Sequence, residues 1–127
     1  MTIKTEAEKK KILNELSNFT GTEGYHRNLF GLLFTDGVAH VAKELGAFWL
    51  IDAVDSHQRR ARQNPRLKDF QLWKLKVTDG TATLTCKEDS GQGQRPKILQ
   101  KIPYTDFPEP GLEFYVINNV MLLKSEY

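Results

Sequence analysis

Apolar positions follow two different rhythms along this chain, and the change falls at Asn64-Pro65. Before it they recur at helical spacing. Thr5-Glu6-Ala7-Glu8 reads as a capping box, with Thr5 as cap, and the helix it opens carries Ile12, Leu13, Leu16 and Phe19 on one side. Tyr25 to Phe34 (YHRNLFGLLF) is too apolar in its second half for a solvated loop, so a short strand or extended segment against the core is expected. Asp36 reads as a helix cap, and Val38, Val41, Ala42 and Leu45 share a face up to Gly46, a helix-ending glycine. Beyond it AFWLIDAV (Ala47–Val54) opens a second helix, with Asp52, Asp55 and Arg59 as its polar edge. This densest apolar run is expected to be the core helix, with Trp49 packed between helices and sheet; each large side chain buried is worth about 1.5–3 kcal/mol.

After Pro65 the rhythm alternates. Phe70–Val77 and Ala82–Lys87 flank Asp79-Gly80, a strong two-residue hairpin signal. A two-residue loop sets Val77 against Ala82, Leu75 against Leu84 and Trp73 against Cys86, all on one face. Glu88 to Pro96 reads as a polar, mobile loop, Lys97–Ile102 as a third strand, and Pro103 to Gly111 as an irregular connection. Leu112–Ile117 and Val120–Leu123 flank Asn118-Asn119 as a second hairpin, with both faces apolar. Phe114, Val116, Met121 and Leu123 form one face; Tyr115, Ile117, Val120 and Leu122 form the other. Either helices then cover both faces, or one face meets a second subunit, and the first set is the candidate homodimer surface. The fold expected is α+β: a helical half (1–63) packed on an antiparallel sheet (70–127) of about four to five strands, in a single domain spanning 1–127.

Composition fits a globular domain: 127 residues, 39% hydrophobic and 27% charged. A lone cysteine excludes an internal disulfide, and no apolar run approaches the roughly 20 residues that span a bilayer, so a cytoplasmic protein without membrane contact is expected. Net charge is +2, yet His57 to Lys76 carries seven basic residues against Asp69 alone, +6, leaving −4 for the rest. Within that stretch Arg59, Arg60, Arg62, Arg66 and Lys68 have no acid between them. They are the candidate contact for nucleic acid or another anionic partner, by phosphate neutralisation rather than base reading. The plain alternative is a solvated helix end, where cations are favourable.

Catalytic signals are thin. Asp36, Asp52, Asp55 and His57, with Asp106, are the polar groups that could converge in an enzyme, a small cofactor-independent hydrolase or nuclease-like protein. The three histidines lack a shared ligand spacing, Cys86 faces inward, and Gly91-Gln92-Gly93 lacks a phosphate loop's context. No cofactor and no metal are expected.

Several phrases together resemble an uncharacterised bacterial family, a domain of unknown function found on chromosomes, plasmids and phages. They are Thr35-Asp36-Gly37-Val38, Gly46 to Gln58 (GAFWLIDAVDSHQ), Phe70-Gln71-Leu72-Trp73, Tyr104-Thr105-Asp106-Phe107-Pro108 and the terminal Ser125-Glu126-Tyr127. Lys124 stands where the family often has proline. The resemblance implies no activity or catalytic residue; it implies a small mobile-element protein that binds host machinery. The function expected is therefore a non-enzymatic binding module acting on a host protein or nucleic acid, with inhibition of host defence, as by an anti-CRISPR protein, as one form.

Overall fold

A computed structural model describes residues 5–20, 24–88 and 95–127. The loop expected at Glu88–Pro96 falls largely outside the described residues, as does the Gly21–Gly24 stretch that follows the first helix. Among the described residues three α-helices, α1 (Glu6–Asn14), α2 (Asp36–Glu44) and α3 (Phe48–Arg62), accompany seven strands: β1 (Tyr25–Arg27), β2 (Leu33–Thr35), β3 (Phe70–Thr78), β4 (Thr81–Lys87), β5 (Ile98–Ile102), β6 (Gly111–Ile117) and β7 (Val120–Leu123). The protein is α+β.

The local readings at the hairpins hold. β3 and β4 pair as Val77↔Ala82, Leu75↔Leu84 and Trp73↔Cys86, and β6 and β7 as Phe114↔Leu123, Tyr115↔Leu122, Val116↔Met121 and Ile117↔Val120. Asp79, Asn118 and Asn119 take positive φ (52°, 50° and 70°), and Gly80 takes 75°, the left-handed pairs that two-residue hairpins need. α2 and α3 break at Gly46, whose φ is +61°. Thr35 rather than Asp36 caps α2: its Oγ1 accepts the Val38 N–H at 3.3 Å. Asp36 becomes the first helical residue, favourably placed at the positive end of the helix.

The sheet is larger than expected and mixed. Its order is β1-β2-β7-β6-β3-β4-β5, with β2 parallel to β7 (Leu33↔Val120, Phe34↔Met121) and the remaining pairs antiparallel. The two extra strands come from the Tyr25–Phe34 stretch. The Leu33 N–H donates to the Asn119 carbonyl at 3.0 Å and Asn119 Nδ2 donates to the Gly31 carbonyl at 2.9 Å, closing what would otherwise be an open β7 edge.

One face of the sheet meets the core. Phe114, Val116, Met121 and Leu123 are almost wholly buried, within one cluster that includes Val38, Val41, Leu50, Ile51 and Val54. That removes them as a dimer surface; the partly exposed face of the hairpin is the other one, Tyr115, Ile117, Val120 and Leu122. Trp49 is likewise displaced from its expected place. The helix turns Leu50, Ile51, Val54, Gln58 and Ala61 inward, which leaves Trp49 half-buried on a flank, and the buried indole is that of Trp73.

Candidate functional site

α3 is the beam on which the polar chemistry hangs, and 3.6 residues per turn sorts that chemistry into three directions. The inward side carries a buried amide pair. Gln58 Nε2 donates to Gln71 Oε1 and Gln71 Nε2 to Gln58 Oε1, both at 2.9 Å, while the Trp73 indole N–H donates to Gln71 Oε1 at 2.8 Å. Gln71 Nε2 also reaches the Leu67 carbonyl at 3.0 Å. Buried amides cost little when so fully paired, and here they lock helix to sheet.

The second direction carries Asp55, Arg59 and Arg62. Asp55 is 2% exposed, and its carboxylate gathers the loop between β1 and β2. It accepts the Phe30 N–H at 2.8 Å, the Leu32 N–H at 3.2 Å and Asn28 Nδ2 at 3.0 Å; the same Asn28 amide donates to Asp52 at 3.0 Å. The loop closes on itself through Asn28 N–H to the Leu32 carbonyl and Gly31 N–H to the Asn28 carbonyl, with Gly31 at φ 101°. With its backbone so held, the tip turns Leu29 and Phe30 outward, 84% and 68% exposed. Phe30, Asp55, Ser56, Gln58, Arg59 and Arg62 line an open cavity of about 630 Å³. Arg62 donates to Asn119 Oδ1, and the exposed Arg59 stands beside it.

The third direction faces β5. His57 meets Gln100 Oε1 at 2.7 Å and lies 6.0 Å from the Trp73 ring. Trp49, Asp52 and Ala53 face Asp79, Gln100, Ile102, Tyr104 and Asp106 across an open groove of about 1050 Å³.

The expected residues therefore scatter. Asp36 pairs with His26 Nε2 at 3.0 Å, Asp52 and Asp55 hold the 28–32 loop, His57 sits over β5, and Asp106 meets the Lys9 ammonium at 3.6 Å. No nucleophile and base come together in this set, and among the described residues no three His, Cys, Asp or Glu side chains gather to hold a metal. Burial pushes the Cys86 thiol up from 9.0 to about 12, the opposite of an activated nucleophile. The basic run divides as well. Arg59 and Arg62 share one cavity, Arg60 lines another on the far flank, and Arg66 pairs with Glu88 at 3.3 Å.

Residues 10–127 match the profile of DUF6876, a family of unknown function. The chain belongs to this family. No curated protein and no solved structure matches it significantly. The phrases that carried the resemblance meet each other inside this DUF6876 fold. Gln58 bonds Gln71, and the Thr35 hydroxyl bonds Glu126 at 2.6 Å. Sequence reasoning missed Leu29, Phe30 and Asn28 as functional candidates. The apolar run around them signalled burial, and only the folded carboxylate of Asp55 shows why that run turns outward. Among the described residues no helix is long and apolar enough to cross a membrane.

Proposed function

We propose that the protein is a small non-enzymatic binding module of mobile-element type, and that it captures an acidic segment of a host protein at the face formed by Leu29, Phe30, Arg59 and Arg62. One observation carries this reading. Two large apolar side chains are held out in water on a loop whose backbone is clamped by a buried carboxylate, beside two arginines. A loop fixed before binding loses little entropy on docking, and aromatic anchors flanked by arginine are the side chains that dominate protein interfaces. An exposed leucine favours a protein partner over a phosphate backbone.

The test is affinity capture from the native host with wild type, Phe30→Ala and the Arg59→Glu/Arg62→Glu pair, each checked for native fold by circular dichroism. A protein recovered with wild type and lost with both variants supports the reading, and an unchanged recovery overturns it. A single-stranded oligonucleotide is the control for the other anionic partner. Since only two arginines share the cavity, such binding would show a log–log salt slope of roughly −1.4.

Self-association is a second reading, favoured by the outer sheet face, where Phe70, Tyr115, Ile117, Val120 and Leu122 are only half-buried. Sedimentation velocity across a hundredfold concentration range decides it. A constant monomer removes the dimer.

A further inference from the structure

The sheet ends at β5. In the order β1-β2-β7-β6-β3-β4-β5 this strand pairs with β4 alone, through Ala82↔Ile102, Leu84↔Gln100 and Cys86↔Ile98, so its outer edge faces no described strand. Unpaired peptide groups along an edge are a template for another extended chain. β1, at the opposite edge, has three residues; β5 has five and extends about 17 Å at the usual rise per residue.

The edge also lies beneath a wall. α3 runs alongside, joined to β5 by the His57–Gln100 contact at 2.7 Å, and a cavity opens between helix and strand at each end of that contact. At the Ile102 end the groove of about 1050 Å³ is lined by Trp49, Ala53 and Tyr104 and by three carboxylates, Asp52, Asp79 and Asp106, against one cation, Lys101, which leaves that end net negative. At the Ile98 end a cavity of about 490 Å³ is lined by Ala61, Pro65 and Leu67 and by two cations, Arg60 and Lys97. The groove is thus polarised, negative at one end and positive at the other. Leu99, 55% exposed, lies on the opposite side of the strand.

We propose that the β5–α3 groove is a second binding site, distinct from the Phe30 face, which takes an extended peptide segment of a partner protein as an added antiparallel strand. Main-chain hydrogen bonds along β5 supply affinity, and alternate side chains entering the helix–strand groove supply selectivity. The charges fix the direction. β5 runs from its cationic to its anionic end, so an antiparallel segment enters with its N-terminal part at Asp52, Asp79 and Asp106. The segment therefore carries lysine or arginine near its N-terminal end, small or β-branched apolar residues at alternate central positions, and glutamate or aspartate near its C-terminal end. The reverse order meets like charge at both ends, and like-charge contact is a strong means of excluding partners.

The experiment uses a terminally blocked heptapeptide, Lys-Thr-Val-Thr-Val-Thr-Glu, and its reversed sequence, titrated into the full protein and followed by amide chemical shifts and Trp49 indole fluorescence. The forward peptide is expected to shift the amides of Ile98 to Ile102 and the Trp49 signal, and to bind about tenfold tighter than the reversed one. Arg60→Glu with Lys97→Glu makes both ends anionic and should abolish that preference, while Arg59→Glu with Arg62→Glu should leave it unchanged; this separates the site from the Phe30 face. Unmoved β5 amides at millimolar peptide, or equal affinity for both orders, overturn the proposal. So does β5 protection in a concentration-dependent dimer without peptide, which would assign the edge to a second copy.

Discussion

Cys86 shows how a single side chain reports the protein's interior. The thiol is fully buried on β4 opposite Trp73, and desolvation alone raises it to about 12. A raised acid favours the folded state only while it stays protonated. Below the unfolded value of 9.0 both states hold the proton and stability does not depend on pH through this group. Between 9.0 and about 12 the unfolded thiol has lost its proton and the folded one has not, so stability falls as pH rises, by about 1.4 kcal/mol per pH unit. Chemical denaturation from pH 8 to 11 should show this slope in wild type and a shallower one in Cys86→Ala. A thiol reagent at pH 8 should modify Cys86 only under unfolding conditions. Gly37 gives a second residue-scale outcome. A Cβ there would stand 2.7 Å from Glu126 Oε1 and 2.8 Å from Leu123 Cδ1, at the buried start of α2. Gly37→Ala should therefore destabilise the fold, by about 1–3 kcal/mol in urea titration, despite alanine's better helix propensity.

Elements whose pairing is local were legible, and elements joined at long range were not. Asp79-Gly80 and Asn118-Asn119 dictate both hairpin registers, because turn geometry and alternation specify the same pairs. The helix break at Gly46 follows from one residue's conformational freedom. β1 and β2 were visible only as a stretch too apolar for a loop, since the partner that completes them, β7, lies far along the chain. The parallel pair was invisible for the same reason. Of the candidate site, Asp52, Asp55, Arg59 and Arg62 were legible as polar positions, but their use was not: Asp55 looked like a solvated edge and is a buried clamp. Asp55→Ala tests that role. It strands the Phe30 and Leu32 amides and the Asn28 side chain, so stability should fall by about 3 kcal/mol. Hydrogen exchange should accelerate first at Asn28 to Leu32. Asp52→Ala removes one exposed bond to Asn28 and should cost under about 1 kcal/mol.

At the scale of the whole molecule, the last three residues join parts that are distant in sequence. Glu126 Oε1 accepts the Thr35 hydroxyl at 2.6 Å and the Leu123 N–H at 3.0 Å, so the chain's end closes over the cap of α2. The Ser125 hydroxyl donates to the Leu16 carbonyl at 2.9 Å, just after α1, and the Tyr127 ring lies edge-on to Tyr115 at 5.2 Å. These contacts tie α1, α2, β2 and β6 to one short turn. α1 depends on this more than the others. Among the described residues it is otherwise held by the Lys9 ammonium on the Asp106 carbonyl at 2.8 Å and carboxylate at 3.6 Å, the Phe19–His40 ring contact, and a few half-buried apolar side chains. A chain ending at Lys124 should therefore lose stability unevenly. The sheet core around Trp73 and Phe114 keeps its packing, while α1 and the start of α2 lose their common anchor. The expected result is a fall of about 2–4 kcal/mol in global stability. Amides of residues 9–19 should exchange faster than those of β3 and β4, with the two regions no longer unfolding together. Glu126→Gln separates the contributions, because its amide retains one acceptor oxygen for Thr35 and should keep most of the coupling. If the truncated chain unfolds in one transition at the wild-type midpoint, the C-terminal turn is not the tie that joins helices to sheet.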